Sequence, residues 1–400
     1  MIRGLLFATS ASIALAAHAA PPQFRVIETG VAAQANAFNN QGEMVFRFAR
    51  GFDVYWQAAI WSAGTIKSPF TSYTLPGGVS WAQFNAWGVN DHGVMVGTLS
   101  RSDWSYGKPF RWDSKTDTLT VYEKLTHPDG LFVYFDTAED INNAGAILGR
   151  TAAGSGQYGH VRDGDEVRWL EDGRSFAPST YVRAINDAGD VVGNGLNLSL
   201  SNSGIVWMAD GTRHFIDPLG TDPFGYRSAV GIAINSGGVA LFNSTTTVRN
   251  EEMPFLWQAG VTTPLGFYAP GFGQTTATGL NNFGAVTGYA YNQALREGLS
   301  FLWQEGQFWN LQSLLAPEFQ DWVINNGGQP LINDLGQIAA YGCKPFVGCQ
   351  ALLLDPIRLI DPPPPGGVVP EPATWALLIA GFGLVGGAMR RRGQFDSVLA

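Results

Sequence analysis

The side chains in this sequence that could act in chemistry are few and scattered. His92, His127, His160 and His214 fall in separate stretches without the H-x-x-x-H or H-E-x-x-H spacing of a metal site, so they read as surface or turn residues. Glycoside hydrolysis needs two carboxyl groups about 5–10 Å apart across a pocket. Asp136 with Glu139 and Asp140, or Glu251 with Glu252, are the candidates, and each reads more simply as a solvated cluster. Asp91, Asp187 and Asp334 offer hard oxygen ligands, but one carboxylate per segment and no later acid at EF-hand spacing favour a turn over calcium. There is no G-x-S-x-G elbow, Walker loop or Rossmann fingerprint in context. Catalytic residues are therefore left unassigned, and no metal or cofactor is expected.

Cys343 and Cys349 are the two cysteines, six residues apart. Two thiols without a nearby histidine make a poor metal site, and in an oxidising compartment they form one local disulfide. Its short loop makes it worth about 2 kcal/mol, enough to pin a loop but not to hold a fold. Aromatic clusters are the other binding candidates: Tyr55 with Trp56, Trp81 with Phe84 and Trp87, Trp104 with Tyr106, and Tyr289 with Tyr291, all assigned to longer inter-strand segments. Flat rings on loops suit the faces of sugars, and packing between sheets is the competing reading.

The elements that must position these residues come from an internal repeat. Seven segments share apolar-Asn-x-x-Gly, with the asparagine and glycine at Asn39 and Gly42, Asn90 and Gly93, Asn142 and Gly145, Asn186 and Gly189, Asn235 and Gly238, Asn281 and Gly284, Asn333 and Gly336. Successive asparagines lie 51, 52, 44, 49, 46 and 52 residues apart. Asn and Gly suit a tight turn, the first by capping its own backbone and the second by accepting positive φ, so each motif joins two strands. Between 17 and 19 residues after the glycine come Trp61, Trp112, Arg162, Trp207, Trp257, Trp303 and Leu354, each on a third strand. A fourth strand follows, as at 261–265 and 307–311. Four short strands in about 49 residues match a blade of a β-propeller. The expected fold is all-β, a seven-bladed propeller over 23–360 in which the lone N-terminal strand completes the last blade and removes an exposed edge. The tryptophans read as core between neighbouring blades. The unit Ala/Ile-Asn-x-x-Gly-x-Val-x-Gly, with its later Ala/Pro-Phe-x-Trp, resembles the HAF-type repeats of extracellular proteins. That resemblance implies a propeller-like fold and brings no catalytic motif.

Composition agrees with this architecture. Fifty glycines, 12% aromatic and only 14% charged residues describe turns and flat apolar surfaces, and 45% hydrophobic residues can bury a sizeable core. The net charge is −9, and the chain between its two ends is more acidic still. Such a body lacks the basic stripe that nucleic acid requires, and acidic polysaccharides are disfavoured on the same ground.

Residues 1–19 read as a signal peptide, with Arg3, an apolar stretch over 4–17 and a cleavage pattern Ala17-His18-Ala19. At the other end a proline-rich linker occupies 361–369. It is followed by Pro370-Glu371-Pro372, an apolar run over 373–389, Arg390-Arg391-Arg392 and a cytoplasmic tail over 393–400. The run is long enough, at about 25 Å, to span a membrane with some thinning, its arginines on the cytoplasmic side. Together the three parts over 370–392 resemble the PEP-CTERM sorting tail of Gram-negative bacteria that make extracellular polysaccharide. The resemblance implies recognition by an exosortase, cleavage near Pro-Glu-Pro and passage to the cell surface or matrix. The expected function is a non-catalytic binding or structural propeller with a glycan or matrix protein as partner. The alternative is a secreted propeller hydrolase or lyase acting on polysaccharide.

Overall fold

The computed structural model describes residues 21–49, 56–69, 83–100, 107–172, 178–196, 202–324 and 328–357. The signal peptide 1–19, the linker 361–369, the sorting segment 370–392 and the tail 393–400 lie outside the described residues, as do Tyr55, Trp81, Trp104 and Tyr106. Among the described residues, no helix is long and apolar enough to cross a membrane.

The described chain is all-β, apart from two 3-10 turns at Leu311–Leu314 and Pro317–Phe319. Its sixth repeat shows how one unit is made. Strands Gln274–Leu280, Val286–Asn292, Glu297–Gln304 and Gln307–Asn310 pair antiparallel in sequence order. At the first turn the Asn281 side-chain oxygen accepts from the N–H groups of Phe283 (3.0 Å) and Ala285 (2.9 Å). Gly284 follows at φ 79°, which only glycine adopts without strain. The amide nitrogen of Asn281 then donates to the carbonyl of Asn333 in the next repeat, at 3.2 Å. Asparagine is needed because the position must accept within its own turn and donate to its neighbour, which a carboxylate cannot do.

The same relay runs through every motif. Asn39 donates to the carbonyl of Asn90, Asn90 to Asn142, Asn142 to Asn186, Asn186 to Asn235 and Asn235 to Asn281. Asn333 donates to the carbonyl of Asn39, at 3.1 Å. Apolar clusters fill the junctions between successive units. Val192 and Val206 of the fourth pack on Phe242, Phe255 and Trp257 of the fifth, for example. Met44, Phe46 and Trp61 of the first unit pack on Ala339, Ala351 and Leu353 of the last. Trp61, Trp112, Trp207 and Trp257 are buried in these clusters, whereas Trp303 is half-buried. In the last sheet Gln23–Glu28 pairs with Gly348–Ile357, which pairs with Ile338–Lys344. The units form a β-propeller fold, with all Asn-x-x-Gly turns at one end of the sheets and the longer connections at the other. The chain leaves the last sheet at the turn end, where Pro356 lies beside Gly336.

Candidate functional site

The innermost strand of a unit carries a defect that the repeat pattern does not advertise. In Ala35–Phe38, Gln83–Val89, Val133–Ile141, Tyr181–Ile185, Ala229–Ile234 and Gln274–Leu280, the register slips by one residue just before the turn. The extra residues are Asn36, Trp87, Glu139, Arg183, Ile232 and Thr278, each three positions before its motif asparagine. A bulge re-aims a side chain out of the sheet plane. All six line one cavity of about 750 Å³ bounded by the innermost strands. The frame repeats, and the chemistry at this one position does not.

The acidic groups of this cavity are engaged. The Glu139 carboxylate accepts from the Thr137 hydroxyl at 2.8 Å and lies 3.5 Å from the Arg150 guanidinium. Asp140 accepts from the backbone N–H groups of Ile185 (3.0 Å) and Ile141 (2.9 Å), and burial pushes its carboxyl up to about 7. Gly88 leaves room for it, since a Cβ there would stand 2.7 Å from the Asp140 backbone. At the turn end, Asp91 accepts from the side-chain amides of Asn40 (3.1 Å) and Asn143 (3.0 Å). Asp334 accepts from those of Asn282 (2.7 Å) and Asn40 (2.9 Å), and Asp187 from that of Asn143 (3.0 Å). These aspartates serve as bridges between turns, alternating with amides. Among the described residues, no group of three or more His, Cys, Asp or Glu side chains could hold a metal ion.

A second cavity, of about 620 Å³, lies at the opposite end between the fifth and sixth units. Arg249, Glu251, Tyr268, Phe272, Tyr291 and Gln293 line it. Tyr268 and Phe272 meet edge-to-face with centroids 5.2 Å apart, and Tyr268 rests on Phe308. Asn292 shapes one wall by accepting from the N–H groups of Ala294 and Leu295. Glu251 accepts from the Thr246 hydroxyl at 3.2 Å. Outside this lining, Phe224, 71% exposed, has the Arg249 guanidinium 4.6 Å from its ring centre. The cleft therefore presents aromatic faces beside a guanidinium, a carboxylate and side-chain amides, the set that stacks on a sugar ring and hydrogen-bonds its hydroxyls.

The remaining sequence candidates separate. His92 and His214 are exposed, but His127 and His160 are buried, which corrects their reading as surface residues. His160 lies against Asp136 inside the third unit. Asp136 accepts from the Thr151 hydroxyl (3.0 Å) and from the Leu125 N–H (3.3 Å), and His160 Nδ1 is 3.2 Å from Thr151 Oγ1. Burial raises Asp136 to about 6 and lowers His160 to about 3. This trio resembles a catalytic arrangement, yet Asp136, Thr151 and His160 are each at most 1% exposed and no substrate reaches them. Glu252 is held by the Thr276 hydroxyl at 2.9 Å, and its carboxyl is raised by burial. Tyr289 and Tyr291 are on the strand Val286–Asn292, and Phe84 and Trp87 on Gln83–Val89, so these four are strand residues and not loop residues. Trp56 begins the strand Trp56–Ser62. Cys343 and Cys349 form a disulfide that closes the hairpin between the last two strands. The sequence reading brought forward Glu251 and Tyr291 separately, and the fold sets them in one cleft. It passed over the bulge position, which aligning the repeats on their asparagines would have exposed as the variable column in a constant frame.

The model of the PEP-CTERM protein-sorting motif matches residues 368–392. That motif marks the chain for export, membrane anchoring in transit and processing by an exosortase. A search of the curated proteins finds none that matches. Among solved structures, the chain is similar to the β-propeller domain of the Trilobed protease from Pyrococcus furiosus, at 12% identity and TM-score 0.45, over 69% of this chain and 79% of that one. It is similar to an oligogalacturonate lyase in complex with manganese, at 12% identity and TM-score 0.47, over 85% and 97%. It is also similar to the Aleuria aurantia lectin in complex with Fucalpha1-6GlcNAc, at 10% identity and TM-score 0.37, over 72% and 96%.

Proposed function

We propose that the exported chain is a non-catalytic carbohydrate-binding module of the cell surface or extracellular matrix. In this reading it is a seven-bladed propeller of HAF-type repeats, closed by the N-terminal strand Gln23–Glu28. The asparagine relay that returns from Asn333 to Asn39 supports the closed ring, as does the cluster joining the first and last units. The Asn and Gly residues of the turns hold the ring together. Pro370, Glu371, Pro372 and Arg390 to Arg392 act in transit, and the segment behind the motif anchors the chain until an exosortase acts.

The observation that carries binding is the cleft between the fifth and sixth units, with Tyr268, Phe272 and Tyr291 beside Arg249, Glu251 and Gln293. The alternative of a polysaccharide hydrolase or lyase needs two carboxyl groups across one pocket. Asp136, Glu139, Asp140 and Glu252 are held by Thr151, by Thr137 and Arg150, by backbone N–H groups and by Thr276, and among the described residues Glu251 has no second carboxylate lining its cleft. The test is a glycan array on the full chain, with Tyr291→Ala as the control. A neutral oligosaccharide should bind, and the substitution should weaken it about tenfold, the loss expected when one stacking face goes. Shortening of the bound glycan during incubation would instead favour the enzyme.

A further inference from the structure

We propose that the central channel is a second, separate binding site, and that Arg183 in it recognises the carboxylate of a sugar acid. The argument begins with the bulges. At six places the fold spends a register slip to turn one residue toward the channel, and the residues so placed divide into two arcs. Trp87, Glu139 and Arg183 come from three successive units, and Ile232, Thr278 and Asn36 supply the rest. The second arc has its own structural tasks. Asn36 donates to the Ala86 carbonyl at 2.9 Å, and the Thr278 hydroxyl donates to the Thr287 and Pro330 carbonyls.

Charge then singles out one residue. The other arginines near the innermost strands are occupied: Arg47 lies over the Trp87 ring at 5.3 Å and donates to Asn85, and Arg150 meets Glu139 and the Tyr181 ring. The channel carboxylates are satisfied by hydroxyl, amide or backbone donors or by Arg150. Arg183 is exposed to the channel, and no carboxylate lies within ion-pair distance of it among the described residues. A planar guanidinium aimed into a cavity and left without an anion suits a bidentate carboxylate on a ligand. Trp87, half-buried in the same channel with Arg47 over one face of its ring, leaves the other face for the ring that carries it. A uronate unites these two features.

The expectation from net charge was the opposite, because an acidic body disfavours acidic polysaccharide. Net charge acts at long range and is screened beyond about 8 Å at physiological ionic strength. Within the channel, Arg150 offsets Glu139 and burial favours the neutral form of Asp140, while Asp91, Asp187 and Asp334 keep their charge among the turn amides. The site is distinct from the cleft of Tyr291, so either can fail alone.

The experiment is calorimetric titration of the purified full chain with a glucuronate oligomer, its methyl ester and a neutral glucose oligomer. Arg183→Ala should weaken glucuronate binding at least tenfold, Arg183→Lys should restore part of it, and Tyr291→Ala should leave it unchanged. Because Arg183 is exposed and has no ion-pair partner among the described residues, its substitution should not alter the melting temperature. Equal binding of the acid and its ester, wild-type affinity in Arg183→Ala, or tighter binding of an acidic peptide than of glucuronate would each overturn the proposal.

Discussion

The second and third units share a backbone and differ in what fills it. In the second, Phe84 faces Leu99 across the two inner strands, and Phe110 closes the group, with the two phenylalanine rings 6.0 Å apart. At the same register in the third stand Asp136, Thr151 and His160. Phe110 pairs with Gly97 as His160 pairs with Gly149. One interior is held by burial of apolar area, and the other by three polar groups that satisfy one another. The frame thus fixes which three positions meet, whereas their size and polarity are open to change provided that every donor and acceptor has a partner.

Exchanging the two central rings should expose that condition most strongly. Phe110→His places an imidazole among Phe84 and Leu99, with no partner and less volume, and should cost about 3–5 kcal/mol in urea unfolding. His160→Phe adds volume instead of removing it but leaves the Thr151 hydroxyl bonded to Asp136, so it should cost less, about 1–3 kcal/mol. Equal losses from the two substitutions would show that the polar trio is no more than a filler.

Acid sharpens the comparison, because the third interior titrates and the second does not. Asp136 is raised from its ordinary 3.8 to about 6, so its contribution to stability is present below the lower value and is lost as pH rises through the higher. His160 is lowered from 6.5 to about 3, so its contribution is present above the first value and is lost as pH falls through the second. Between pH 4 and 6 the two slopes oppose each other. His160→Phe should leave the slope of Asp136, making the chain lose on the order of 1 kcal/mol per pH unit relative to wild type as pH rises. Asp136→Leu should tilt the curve the other way. Melting temperatures across that range check both, and parallel curves would separate the trio from the pH response.

What the sequence made legible follows from how narrowly a position is constrained. The motif asparagine must accept and donate at once and the glycine must take positive φ, so the repeat is written in residue types. The bulge constrains only backbone register, and Asn36, Trp87, Glu139, Arg183, Ile232 and Thr278 share no chemistry, so the position shows only as the variable column once the repeats are aligned. Asp136 and His160 stand 24 positions apart and meet only when two hairpins pair, so each read alone as an ordinary surface residue. Glu251 and Tyr291 come from consecutive units and were legible as candidates, but their shared cleft depends on the loop between them.

The smallest effect should come from the third strands of the same two units. Trp112 is buried in the second, with its indole N–H donating to Asp117 at 3.0 Å. Arg162 holds the matching place in the third, half-buried, with its guanidinium 4.8 Å from the Tyr122 ring centre. That contact reaches back to the second unit, so the arginine replaces an apolar plug with a cation over a ring. A partly exposed cation–π contact is worth about 0.5–1 kcal/mol, while a buried tryptophan truncated to alanine costs about 3–5 kcal/mol. Arg162→Ala should therefore shift the urea midpoint only slightly, and Tyr122→Leu should remove the same increment without adding to it in the double variant. A loss from Arg162→Ala as large as that from Trp112→Ala would mean that the aliphatic stem of the arginine, and not its charge, fills the place of the ring.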